Sequence, residues 1–129
     1  MQPILKLREE IDMVDYNYVN IKSSIYNWYK KLLCELLNND EIILSQNKED
    51  SMIIDFSFAH CIAQLSVTNM SNVPYKYVFF EAMDTDIDIL ESTNIKPIYT
   101  FYDNDSMQIN DVIKALDDAI IYCRKYKVN

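Results

Sequence analysis

No glycine occurs anywhere in the 129 residues. A P-loop and a dinucleotide-binding fingerprint both require glycine where backbone approaches phosphate, so nucleotide-binding readings built on either are excluded. Histidine occurs once, as His60, and in a strand its neighbour Cys61 would point to the opposite face, which argues against a Cys–His nucleophile pair. The three cysteines, Cys34, Cys61 and Cys123, lie in apolar surroundings without C-x-x-C spacing. Their odd number and setting suit small buried hydrophobes in a reducing compartment, not metal ligands or disulfides. No apolar run approaches the roughly 20 residues needed to span a bilayer. The first ten residues include Glu9 and Glu10 and form no signal-peptide core, so the expected location is the cytoplasm.

Positive charge is also scarce: 12 basic residues stand against 20 acidic ones, a formal net charge of −8. Residues 81 to 118 hold ten acids against only Lys96 and Lys114, which leaves ten acids and ten bases for the rest of the chain. All of the net charge therefore sits in one third of the sequence. Binding to nucleic acid or to an anionic membrane surface is disfavoured, and a cationic protein partner is the natural expectation.

Half of the residues are hydrophobic, enough for a single domain spanning residues 1–129. From Ile4 through Leu7, Ile11, Val14, Tyr18, Ile21, Ile25 and Trp28 to Leu32, apolar residues recur at alternating spacings of three and four, and no proline interrupts residues 4 to 38. The spacing predicts a helix or a kinked helix pair, with residues 1–20 as a helical extension. The stripe belongs either to the chain's own core or to a homodimer seam, and helix propensity is weakest at Asn17 to Asn20.

Beyond Asn38-Asn39-Asp40 the period becomes that of strands, at 41–46, 52–58, 61–69, 75–83, 86–91 and 97–102. Asn, Asp, Ser and Pro clusters separate them, the turn formers open to a chain without glycine. A stripe of Ile109, Val112, Ile113, Leu116, Ile120 and Cys123, ending in Arg124, Lys125 and Lys127, predicts a C-terminal helix. The expected fold class is α+β: an N-terminal helix or helix pair, an antiparallel meander of five to six strands, and a closing helix packed on the sheet.

Asp84, Asp86 and Asp88 alternate with Thr85 and Ile87, so in a strand the three carboxylates share one face. The spacing matches the start of a calcium loop, but Ile89 replaces the turn glycine and Ile95 the bidentate twelfth ligand, so no metal is expected. Nor does any pattern mark out one carboxylate for acid–base work. A hydrolase using a pair among Glu81, Asp84 and Asp86 is the enzymatic alternative, with no legible substrate pocket. The preferred expectation is a non-enzymatic docking surface without cofactors, built from Glu81, Asp84, Asp86, Asp88, Glu91, Tyr99, Tyr102, Asp103 and Asp105, with Phe101 beside them.

The run Phe80-Glu81-Ala82-Met83-Asp84-Thr85-Asp86-Ile87-Asp88-Ile89-Leu90-Glu91 resembles the aromatic-Glu, turn, acid-x-acid, aliphatic pair, acid signature of TriTu-type bacterial immunity proteins. The resemblance extends more loosely to Asn27-Trp28-Tyr29, to the following hairpins, to the segment from Pro97 to Tyr102, and to the closing helix. The chain departs from that pattern at Met83, where glycine is usual, in its N-terminal extension and in an insertion around Asn69 to Tyr75. The resemblance implies a cytoplasmic protein that neutralises a cognate toxin of a polymorphic-toxin or contact-dependent growth inhibition system. Occlusion of a cationic toxin domain, such as a nuclease, is the implied mode of action. The alternative class is an acidic secretion chaperone, which would work as a dimer over a large apolar surface.

Overall fold

The computed structural model describes residues 15–69, 75–86 and 96–127. The fold is α+β: helix α1 (Tyr18–Glu35), strands β1 (Ile42–Lys48), β2 (Ser51–Ser57), β3 (Cys61–Thr68), β4 (Val78–Asp84) and β5 (Tyr99–Tyr102), and helix α2 (Ile109–Lys125). The strands form one antiparallel sheet in chain order.

Helix α1 begins where propensity is weakest because Asn17 caps it. Its backbone is extended (φ −135°, ψ 170°) and its side chain accepts the Asn20 N–H at 2.9 Å, satisfying one donor of the first turn. The residues that would weaken a helix interior instead mark its start. Residues 1–14, which carry the first part of the predicted stripe, lie outside the described residues. From Tyr18 onward the stripe (Tyr18, Ile21, Ile25, Trp28, Leu32) is buried in the chain's own core, so this part is not a free dimer seam.

Turns are made without glycine. Asn38 folds its side chain back to accept the N–H groups of Asp40 at 2.9 Å and Glu41 at 3.1 Å, an Asx turn leading into β1. Two residues, Glu49 and Asp50, connect β1 to β2, and a bulge at Ser45 shifts the register between Leu44 and Gln46. Left-handed backbone occurs once among the described residues, at Lys127 (φ 59°), just past the cap of α2 where other chains place glycine.

Five strands are observed where five to six were expected. β4 ends at Asp84, Asp86 sits in a bend, and the rest of the predicted 86–91 strand lies outside the described residues. Asp84 and Asp86 therefore do not share a strand face: ladder pairing with β3 ends at the Cys61–Asp84 pair, and Thr85 and Asp86 form a bend. Helix α2 starts at Ile109, after Asp111 has accepted the Gln108 N–H at 2.9 Å.

Both helices cover the same face of the sheet. Inward residues Ile42, Met52, Ile54, Phe56, Cys61, Ala63, Leu65, Val67, Val78, Phe80 and Ala82 join the stripes of α1 and α2 in one core. Each fully buried Leu, Ile or Phe there contributes roughly 1.5–3 kcal/mol relative to exposure. Trp28 packs on Phe56 and donates from Nε1 to Asp117 Oδ1 at 2.8 Å, tying α1 to α2. Two layers bury one sheet face; in the described structure the other carries no element. Among the described residues no helix is long and apolar enough to cross a membrane.

Candidate protein-interaction surface

Strand side chains alternate between faces, so the partners of the core residues look outward. The register aligns them into four cross-strand rows: Lys48, Ser51 and Thr68; Gln46, Ile53, Ser66, Phe79 and Tyr102; Ile43, Asp55, Gln64, Glu81 and Thr100; and Ser57, Ile62 and Met83. The face is more apolar than solvent contact alone calls for. Ile43 is 55% exposed, Ile62 48% and Tyr102 45%, although each could have been polar without cost to the core.

At one side Tyr75, Phe79 and Tyr102 form an offset stack with near-parallel rings: centroids lie 5.4 Å apart for Tyr75–Phe79 and 5.0 Å for Phe79–Tyr102. Beside it is a concavity of about 410 Å³ whose lining includes Ile43, Ile62, Phe79 and Met83 together with Asp40, Glu41, Asp55 and Glu81. Four carboxylates and no lysine, arginine or histidine line it. Gln64 donates to Asp55 at 3.0 Å and the Asn38 N–H to Glu41 at 3.2 Å, while Glu81 has no hydrogen-bond or ion-pair partner among the described residues. A second depression, between α1 and α2, is lined by both charge signs (Lys31, Glu35, Asp117) and by Trp28, whose N–H is already satisfied.

The chain's own cations attend other rings. Lys22 lies over Tyr18, Lys30 over Tyr26, Lys76 over Tyr77 and Lys127 over Tyr126, at 4.9 to 5.9 Å from the centroids. Among the described residues no cation covers the Tyr75–Phe79–Tyr102 stack. The concavity and the stack thus combine aromatic surface with negative charge; among the described residues the cation in outward register, Lys48, stands on β1 opposite Ser51, outside the lining of the concavity.

The residues expected to dock a partner separate into three groups. Glu81 and Tyr102 lie on this face. Asp84, Asp86, Tyr99, Asp103 and Asp105 do not, and Asp88 and Glu91 lie outside the described residues. Tyr99 turns toward the helices, edge-on to Phe80 and against Tyr122. Asp84 holds the segment just past α2, while Asp86 makes a half-exposed pair with His60.

Asp84, its side chain only 4% exposed, accepts from Lys127 Nζ at 2.6 Å and from the Tyr126 hydroxyl at 2.5 Å. These two donors hold its carboxyl well below the usual range, at about 2. Asp86 accepts from His60 Nδ1 at 2.7 Å, and Lys127 stands 3.8 Å away. The left-handed turn at Lys127 costs about 1–2 kcal/mol in a residue with a Cβ, and it aims the ammonium at Asp84.

Asp103 is 1% exposed. Its carboxylate accepts the backbone N–H groups of Lys76, Tyr77 and Val78 at 2.9 Å each, together with the Tyr16 hydroxyl, and so fixes the entry to β4. Burial, then the bond to Asp103, pushes the Tyr16 phenol upward. Asp105 forms an exposed ion pair with Lys76. Of these five, Asp84, Asp103 and Tyr99 serve the fold as anchors or core packing, and Asp86 and Asp105 make surface pairs.

Sequence reasoning missed Tyr75, Phe79, Ile43, Ile62, Met83, Asp40, Glu41 and Asp55. A signal was present: β1, β3 and β4 carry large apolar residues at both parities, where a two-layer fold needs only one apolar face. Among the described residues no group of three or more His, Cys, Asp or Glu side chains could hold a metal ion. Comparison of the chain with protein families, with curated proteins and with solved structures gave no match.

Proposed function

We propose that the chain is a non-enzymatic binding protein that sequesters a cationic protein domain on the open face of its sheet, in the manner of an immunity protein neutralising a cognate toxin such as a nuclease. The supporting observation is the composition of that face: exposed apolar side chains and an aromatic stack beside a concavity whose charged lining is entirely negative. Aromatic anchors slow dissociation, and complementary charge speeds encounter. Toxins that act on nucleic acid are basic because they bind phosphates, so a rigid acidic face can compete for the same surface. The toxin role itself rests on the resemblance between Phe80 and Glu91. The acidic third of the chain contributes Glu81 to this face, and Asp40, Glu41 and Asp55 come from outside it.

The test is protection of cells. The neighbouring open reading frames are sequenced, and the variable C-terminal domain of any secreted protein found there is expressed in a bacterium with the parent chain or with the variant Ile62→Asp/Tyr102→Asp; the lack of such a neighbour would count against the immunity function. Both changed side chains are about half exposed and lie outside the core, so the variant should fold; circular dichroism checks this. The parent should restore growth and the variant should lose protection by at least about tenfold, as removal of two interface anchors implies. Full protection by the folded variant would remove the open face from the reading. A parent that neither protects nor binds the toxic domain would remove the immunity function.

A further inference from the structure

Resting on the docking face proposed above, we infer that the stack formed by Phe79 and Tyr102, together with Glu81, is a seat for an arginine side chain of the partner and discriminates against lysine. Phe79 and Tyr102 are directly paired across β4 and β5, with rings 5.0 Å apart and inclined by only 8°. Glu81 lies two residues along β4 on the same face and pairs with Thr100, so it sits diagonally from Tyr102. Diagonal neighbours on a sheet are roughly 7–8 Å apart at the backbone, within reach of long side chains. A planar guanidinium resting on the Tyr102 ring can therefore direct its N–H fork at the Glu81 carboxylate. Ser66, Gln64 and Thr100 are the smaller or polar neighbours in the same rows, and among the described residues they set no large apolar side chain beside Glu81.

The choice of arginine follows from hydration and shape. An ammonium is compact and strongly hydrated, and on a half-open sheet face it keeps its water. A guanidinium is weakly hydrated, stacks on aromatic faces and binds carboxylates by two parallel hydrogen bonds. Tyr18, Tyr26, Tyr77 and Tyr126 each carry a lysine of this chain, while among the described residues no cation of the chain occupies the open-face stack, which leaves it available to a partner's. A second copy of the chain is a poor occupant, because two such faces would bring Asp40, Glu41, Asp55 and Glu81 against their own like charges.

The experiment titrates the full, isotope-labelled chain with two blocked peptides of equal charge, one with four arginines alternating with serine and the other with lysine in their place, followed by NMR. The arginine peptide should bind about tenfold more tightly, the factor that roughly 1.4 kcal/mol of stacking supplies. Its shifts should centre on Phe79, Glu81 and Tyr102. Tyr102→Leu and Glu81→Gln should each reduce the preference to below about threefold, whereas Tyr102→Phe should retain it, since the ring and not the hydroxyl carries the stacking. Equal affinity for both peptides, shifts confined to the helical side, or no binding of either peptide would overturn the arginine seat. If one of these results came with cell protection that still depends on Ile62 and Tyr102, the docking face would stand and only the arginine seat would fall.

Discussion

Replacing Asp103 by alanine removes the acceptor for four donors at once: three backbone N–H groups at the entry to β4 and the Tyr16 hydroxyl. Lys76 and Tyr77 are half-buried, so water can reach part of this site after the change, whereas Val78 is fully buried. Two donors left without a partner, at about 1–3 kcal/mol each, cost roughly 2–6 kcal/mol. That is a large share of the 5–15 kcal/mol or so that holds a domain of this size. In urea, with a slope near 2 kcal/mol per molar, the unfolding midpoint should fall by about 1–3 M. Asp103→Asn keeps the volume and one acceptor oxygen and should fall between the parent and alanine. The control is Asp105→Ala two residues away, which breaks only the pair between Lys76 and a carboxylate that is 83% exposed, and should leave the midpoint close to the parent's. An Asp103→Ala midpoint within about 0.3 M of the parent, or an equal loss for Asp105→Ala, would refute the assignment of Asp103 as an anchor.

Because Lys127 and Tyr126 depress the Asp84 carboxyl to about 2 in the folded chain, against about 3.9 unfolded, its stabilising contribution is fully present above pH 4. It is lost as pH falls toward 2, and Lys127→Met should flatten that part of the acid-unfolding profile. At the other extreme, burial pushes the Cys123 thiol up to about 12 and raises Cys61 as well, so both favour the fold below the unfolded thiol value near 8.5. Thermal stability should decline as pH rises above that value, and Cys123→Ala should blunt the decline even while it lowers stability near neutrality. Trp28→Ala should cost roughly 3–5 kcal/mol by equilibrium denaturation, because it empties the contact with Phe56 and leaves Asp117 without its indole donor. Trp28→Phe should recover more than half of that loss, since most of the buried surface is restored.

Local patterns in the chain were enough to specify the elements. The three-and-four spacing from Tyr18 to Leu32 and from Val112 to Cys123 places both helices and their buried faces, and the β-branched runs between asparagines and aspartates place the strands. Helical and strand periods are properties of neighbours in sequence, and burial of one face follows from them directly. The absence of glycine likewise settled which phosphate-binding motifs are excluded, since no arrangement in space can replace a missing residue type.

What sequence could not reveal is which acids are spent and which remain available. Asp84, Asp103 and Glu81 look alike in a list of carboxylates, yet Asp84 meets Lys127 forty-three residues on, and Asp103 meets Tyr16 from the far end of the described chain. Glu81 meets no partner among the described residues. Charge density along a chain is blind to such pairings, which depend on the sheet bringing the start of β4 beside the end of β5, and the end of β4 beside the end of α2. The open face is of the same kind. Ile43, Ile62, Phe79 and Tyr102 belong to four different strands, and only the antiparallel register sets them side by side on the face that the helices leave bare.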